Sequence, residues 1–400
     1  MRVTQSLLQQ QEVIVDIPYV IERAEAKHEN TYLQLLERYV TTKQAKERYQ
    51  WLYKNNPQGR AETWLAYEPT KREIVGFTSI FAREFLISGK SVLGGIGFDA
   101  FVRPDHRRRG IALKLHRASL KAMATGEVAF RFMCGPPTSA NLEALVKAGS
   151  QVVGALRYIG IPFTARGLMT MLRCPDNYTE KVVNYGAPLD MILTQVRKIF
   201  NRASLNITVK VANKVDSRYD QLWNKIAANF PVVGLRDAKY LNWRYLQNPV
   251  CSQQLLSLEY KGELLGWAVL EFASKGCLLV DYLLPLEEGL AKETLSALVN
   301  YVAQQKIHRL TLRFNFKGQY AGLFRGHAFL PGRTIERFQL LSNEKELYPP
   351  LLEQQNWHFT NGDLNPEASP WSINTAPEAI LIDPNYIPPI SNGTRPYVGA

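Results

Sequence analysis

Six consecutive residues, Arg107-Arg108-Arg109-Gly110-Ile111-Ala112, carry the clearest chemistry in the chain. Guanidinium forks match the geometry of phosphate oxygens. A glycine lets backbone N–H groups approach a ligand closely, and Ala112 keeps the first turn of a following helix narrow. What precedes and follows supports an anion site. Gly95 to Val102 is short, apolar and aromatic, so it reads as a strand, and Pro104 ends it because proline cannot donate to a ladder. Beyond the loop, Ile111, Leu115, Ala118 and Ala122 recur at helical spacing. The chain therefore runs strand, basic turn, helix N-terminus, and a helix N-terminus offers unpaired N–H groups and the positive end of a dipole.

With the preceding Val102-Arg103-Pro104, the hexapeptide resembles the acyl-CoA loop of the GCN5-related N-acetyltransferase (GNAT) superfamily. That loop follows Arg/Gln-x-x-Gly-x-Gly/Ala, met here by Arg107, Gly110 and Ala112. The resemblance implies a mixed α/β (α+β) fold and direct acyl transfer from an acyl-CoA, acetyl-CoA or another thioester, to a primary amine, with no metal. It implies that Arg107, Arg108, Arg109, Gly110, Ile111 and Ala112 hold the CoA phosphates. Backbone near Phe101 or Val102 would polarise the acyl carbonyl, and the stretch up to Asn141 would line the pantetheine path. Asp99 is then the best-placed carboxylate for a general base. The family's tyrosine on the helix after the fifth strand is absent, since that helix reads Leu145-Val146-Lys147-Ala148. The general acid is left open between Tyr158, Tyr67 and solvent. Cys134 reads as a buried thiol, and His106 and His116 as surface residues of the basic helix start.

The rest of the chain must position this site. Val13, Val15, Ile17, Tyr19 and Ile21 alternate as a first strand over Glu12 to Glu22. Two helices are expected between Glu29 and Pro57, then strands at Thr63–Tyr67, Ile74–Ile80 and Phe85–Ser91. Val128 to Met133 reads as a fifth strand, Asn141 to Ala148 as a helix, and Val152 to Leu172 as strands completing the unit.

The pattern then starts again. Trp243 to Pro249 repeats Trp51 to Pro57 with four identities in seven positions. The following strands repeat as well, and Asp281 stands near the place of Asp99, which gives Asp99 a structural alternative. The long period marks a tandem duplication of domains rather than a solenoid. The copies differ at the loop. The second reads Pro285-Leu286-Glu287-Glu288-Gly289-Leu290-Ala291, without arginine and two residues shorter from Pro to Gly. Two carboxylates beside a pyrophosphate are repulsive, by about 1 kcal/mol each in water and several in a drier site.

The expected division is a GNAT domain over 1–172 and a linker with one helix over 173–205. A degenerate GNAT-like domain over 206–342 and a Pro-rich tail over 343–400 follow. The tail should pack through Trp357–Thr360, Trp371 and Ile380–Ile382, with its last dozen residues disordered. Two fused GNAT units also occur in Fem-type aminoacyl transferases and N-myristoyltransferases. The alternatives to an N-acyltransferase are thus a non-catalytic GNAT-like binding scaffold and a Fem-like aminoacyl transferase.

Composition narrows the partners. The net charge of +12 is concentrated at the loop and fits a CoA with its three phosphates. No zinc finger, RNA-recognition signature or basic-region helix points to nucleic acid. No apolar run reaches the ~20 residues of a membrane span. The cysteines, four in number, are scattered without CxxC, as in a reduced cytoplasmic protein. The acceptor is an amine of a small molecule or polymer, an amino sugar among the candidates.

Overall fold

The computed structural model describes residues 19–367, except 41–43, 185, 203, 275, 343, 345 and 347. The first run of the chain comprises β1 (Val20–Arg23), α1 (Glu29–Tyr39), α2 (Ala45–Arg48), β2 (Glu62–Tyr67), β3 (Ile74–Ile87) and β4 (Lys90–Val102). Then come α3 (Ile111–Ala124), β5 (Met133–Gly135) and α4 (Ser139–Lys147). β3 and β4 are long because both are nearly continuous apolar runs. They are joined by Ser88-Gly89, whose φ values of 49° and 78° suit a tight hairpin. The alternating residues before Tyr19 lie outside the described residues, and the strand they were expected to form is described only as β1.

α2 runs directly into a π-helical turn, Tyr49–Lys54, in which Tyr49, Trp51, Leu52 and Tyr53 are all buried. The wider turn accounts for a cluster of aromatics without helical spacing. The second run reproduces this. After β6 (Gln151–Pro162) and three helices, α5 (Ala165–Met171), α6 (Asp176–Asn184) and α7 (Ala187–Phe200), it passes through β7 (Thr208–Val211), α8 (Ser217–Ile226), β8 (Val232–Gly234) and α9 (Ala238–Leu241). α9 also runs into a π-helical turn, Asn242–Leu246. β9 (Gln253–Tyr260), β10 (Glu263–Ala273), β11 (Gly276–Leu283), α10 (Glu288–Gln304) and β12 (Arg309–Phe314) then repeat β2, β3, β4, α3 and β5. The two π-helical turns meet: Trp51 and Trp243 stack with centroids 5.0 Å apart. Each indole donates to the other's carbonyl, at 2.9 and 3.2 Å. The contact is self-complementary, as at a two-fold axis within one chain.

β13 (Leu330–Leu341) and β14 (Trp357–His358) complete the strands. The sheet runs β1-β2-β3-β4-β5-β13-β6-β12-β11-β10-β9-β7. The strand following α4 therefore does not close the first unit on itself. β6 pairs with β12, while β13, from the end of the second run, pairs with β5. β6 and β13 also pair with each other, so the closing strands are exchanged and one sheet spans both halves. The largest apolar cluster likewise contains residues of both, from Tyr32 and Phe77 to Trp267 and Phe324.

The first part of the tail is buried, as expected. β14 pairs with β8, which pairs with the end of β3. Asp363 accepts from Arg83 of the first run and Arg236 of the second, at 2.7 and 2.6 Å. Burial opposes ionisation of Asp363, but the two guanidiniums hold its carboxyl well below the usual range. The Pro-rich end expected to be disordered lies outside the described residues. Among the described residues, no helix is long and apolar enough to cross a membrane, and no group of His, Cys, Asp and Glu could hold a metal ion.

Candidate functional site

β4 and β5 part company after two residue pairs, Gly95 with Met133 and Ile96 with Cys134. Two local features force them apart. β5 ends at Gly135 and is followed by Pro136-Pro137, which have no N–H to continue a ladder. β4 carries a bulge: Phe77 pairs with Phe101 and Ser79 with Phe98, leaving Asp99 and Ala100 opposite Thr78. Asp99 adopts a φ of 46° there. The resulting opening contains about 450 Å³ of empty space including its mouth, between Gly97, Phe98 and Ala100 of β4 and Met133 to Pro137. His116 of α3, Asn141 of α4 and Gln339 of β13 also face it.

Backbone alternation decides which N–H groups point into this gap. Arg103 donates its N–H to Val75 of β3 at 2.8 Å. Since strand N–H groups alternate sides, Phe101 also faces β3 and Val102 faces the open side. Arg107 confirms the direction, because its Nε donates to the Val102 carbonyl at 3.0 Å. Of the two backbone positions expected to polarise a carbonyl, only Val102 turns its N–H away from β3, to the side that β5 has left.

The loop follows at once. A short 3-10 turn, Pro104–His106, leads to Arg107, and Gly110 is the N-cap of α3 with a φ of 75°. A Cβ on Gly110 would meet nothing within 4 Å, so the glycine is required by its left-handed backbone rather than by packing. Arg108 is left-handed too, at 61°. Arg103 is engaged by Glu73 and Asp105, at 2.8 and 2.7 Å. Arg107, Arg108 and Arg109 are exposed, and Arg109 reaches the Tyr19 hydroxyl at 3.4 Å. No side chain caps α3. The first helical bond is donated by Lys114 to Gly110, which leaves the N–H groups of Ile111, Ala112 and Leu113 without a helical partner. Uncapped donors behind exposed arginines have the geometry and charge that suit an anion.

The second copy of this helix start is built differently. Glu287 is the N-cap of α10, and its carboxylate accepts from Gly289 and Leu290 N–H at 2.9 and 2.7 Å. The chain's own carboxylate thus occupies the donors that remain free in the first copy. Glu288 bonds Lys292 at 2.6 Å.

Asp99 is placed away from the lining of the opening. It accepts from Arg48 Nη1 and Nη2 at 2.7 and 3.0 Å and from the Tyr53 hydroxyl at 2.5 Å. The Arg48 and Asp99 side chains are 0% and 1% exposed. Asp281 has matching partners, Arg236 and the Tyr245 hydroxyl. This geometry is that of a buried structural ion pair and departs from the general base expected at Asp99.

Two further expectations change. His116 is 3% exposed rather than on the surface. It lies one residue past Leu115 in the apolar stripe and is covered by α4, where its Nε2 meets Asn141 Oδ1 at 2.8 Å. Tyr158 sits on β6 under Arg313, 5.0 Å from the ring centroid, and Tyr67 at the outer end of β2. Neither faces the opening. Cys134 is buried, and burial raises its thiol pKa well above normal, which disfavours the thiolate, as expected of a buried apolar thiol. His106 is half-buried and meets the Tyr19 hydroxyl at 2.9 Å.

Comparison with known proteins agrees with this architecture. Residues 20–140 match the model of the acetyltransferase (GNAT) domain. No curated protein matches the chain. Among solved structures, a GCN5-related N-acetyltransferase from Anabaena variabilis superposes with a TM-score of 0.56 at 12% identity, over 80% of this chain and 72% of that one. A probable N-acyltransferase from Enterococcus faecalis gives 0.57 at 10%, over 83% and 75%. Saccharomyces cerevisiae N-myristoyltransferase with bound myristoyl-CoA gives 0.52 at 13%, over 80% of each chain. These likenesses are of fold. The family assignment rests on the domain match, which makes residues 20–140 an acetyltransferase (GNAT) domain.

Proposed function

We propose that the protein is an acyl-CoA-dependent N-acyltransferase, using acetyl-CoA or another short acyl-CoA, with its catalytic site in the first half. The observation that carries this reading is the uncapped N-terminus of α3, the helix that follows β4 beyond the point where β4 and β5 part. An anion held at Ile111–Leu113 by Arg107, Arg108 and Arg109 leaves a thioester arm free to run inward along β4. The Val102 N–H then faces the arm and can hydrogen-bond a carbonyl oxygen, stabilising the charge that develops there when an amine attacks. Asn141 reaches the same opening from α4.

In this reading the acyl-CoA site belongs to 1–172, closed by β13 from 206–342; 173–205 connects them with two helices instead of the one expected, and the start of the 343–400 tail ties the halves together through Asp363. A cytoplasmic setting suits the free thiols of Cys134, Cys174, Cys251 and Cys277. The acceptor is a primary amine, of which an amino sugar is one class to assay. Calorimetry with acetyl-CoA tests the reading, which requires one site per chain. No binding at millimolar ligand would overturn it and leave a GNAT-like scaffold.

A further inference from the structure

Two side chains that line the opening each keep one buried polar atom unpaired. His116 and Gln339 are each 3% exposed. His116 Nδ1 and Gln339 Nε2 have no hydrogen-bond partner, and both residues line the opening. Their other ends are fixed. His116 Nε2 meets Asn141 Oδ1 at 2.8 Å, and Gln339 Oε1 accepts from Ser150 Oγ at 2.9 Å. A buried polar atom without a partner costs about 1–3 kcal/mol, and native proteins keep few of them. Two in one cavity, on side chains anchored at the far end, mark a place prepared for a polar ligand.

We infer that His116 is the proton carrier of this site, with Gln339 as a hydrogen-bond donor to the bound thioester. The inference rests on the acyl-CoA reading above. With Nε2–H donated to Asn141, Nδ1 keeps a lone pair that no protein group uses, on a side chain that lines the opening. Burial lowers the His116 pKa, so the ring starts neutral. As the amine nitrogen bonds the acyl carbon, His116 Nδ1 takes the proton that the nitrogen must lose. The C–S bond breaks, and Nδ1 returns that proton to the departing thiolate. The ring ends neutral, and atoms and charge balance as amide plus free thiol. One histidine thereby fills both proton-transfer roles, including the one left open by the missing tyrosine. Asn141 acts through the ring as a positioning residue. Gln339 comes from β13, so the second half completes a site that the first half only begins.

The test uses the full chain with labelled histidine. There are six histidines, so ring signals can be counted, and the one lost in His116→Gln identifies residue 116. Coenzyme A should move the His116 ring signals. Thiol release from acetyl-CoA with hydroxylamine as acceptor should fall about 100-fold in His116→Gln. KM for acetyl-CoA should stay within about twofold. Gln339→Leu, a variant of similar size, should instead raise that KM about tenfold. Coenzyme A binding without a change in the His116 signals, or full turnover in His116→Gln, would overturn the inference alone. Absence of coenzyme A binding would overturn the acyl-CoA reading beneath it.

Discussion

An arginine and a carboxylate taken out of water together lose several kcal/mol of hydration each, so breaking such a pair costs more than forming it gains. Asp99 with Arg48 and Asp281 with Arg236 are pairs of this kind, each with a tyrosine hydroxyl added. We expect Asp99→Asn to lower unfolding stability by about 2–3 kcal/mol, because the buried Arg48 guanidinium loses one of its two carboxylate partners and keeps only Glu367, 2.7 Å from its Nε. Urea denaturation measures it; a loss under 1 kcal/mol would return Asp99 to the candidates for general base. The correspondence of Asp99 and Asp281 was legible from the repeat, but their arginines were not. Arg48 ends α2, whereas Arg236 precedes α9, so the same pairing is reached from positions that do not align. The burial of His116 was hidden for a related reason, since only the packing of α4 covers that side of the helix. His358 provides a pH prediction. Burial, aided by Arg236, pushes its pKa down to about 4 from 6.5. The unfolded chain therefore takes up a proton that the folded one refuses between those values. Stability present above pH 6.5 should fall by about 3 kcal/mol as pH drops to 4, and His116 and His308, also lowered, add to the slope. Urea midpoints across this range should show a shallower decline in His358→Gln. An equal decline would place the acid sensitivity elsewhere.

Two helices that occupy equivalent places, α3 and α10, differ in what closes their first turn. α3 has no side-chain cap, and α10 is capped by Glu287. Arg108→Glu should therefore weaken acetyl-CoA binding about ten- to a hundredfold, the worth of a charge-assisted hydrogen bond to phosphate. Gly110→Val should do the same by straining a left-handed N-cap. Circular dichroism would verify that both remain folded, and unchanged affinity in both would make the loop merely a charged helix start. Glu287→Ala should cost about 1 kcal/mol of stability through the lost cap and create no second CoA site. At this scale much could be read directly. Pro104, the arginines, Gly110 and the stripe after it are local signals, whereas the hairpin at Ser88-Gly89 fell inside the single strand expected over Phe85–Ser91. The self-capping of α10 was only half legible: two acids before Gly289 forecast repulsion, and the structure shows one of them filling the donors. The π-helical turns were not legible, because Tyr49 to Tyr53 has no period to distinguish a widened turn from an ordinary one.

Over the whole molecule, the decisive feature is the exchange of β6 and β13, and nothing local announces it. Alternation tells a strand from a helix but not which strand it will join, and the two copies are similar enough for either closing strand to suit either half. The consequences are physical. β13 alone fills the slot between β5 and β6, and it lies more than 150 residues further along the chain than β6. A fragment ending at residue 172 would leave one side of β5 and both sides of β6 unpaired, with Arg83 facing no Asp363 and the opening lacking Gln339. Exposed strand edges of that length are aggregation sites. We therefore expect residues 1–172 alone to be insoluble or unfolded, and co-expression with 173–400 to recover a soluble pair that binds one acetyl-CoA. The intact chain should unfold in one transition, with tryptophan fluorescence and acetyl-CoA binding lost at the same urea concentration, because the shared sheet and the Trp51–Trp243 contact couple the halves. A monomeric, folded 1–172 fragment that binds acetyl-CoA as tightly as the whole chain would show that the exchanged strand is dispensable to the site.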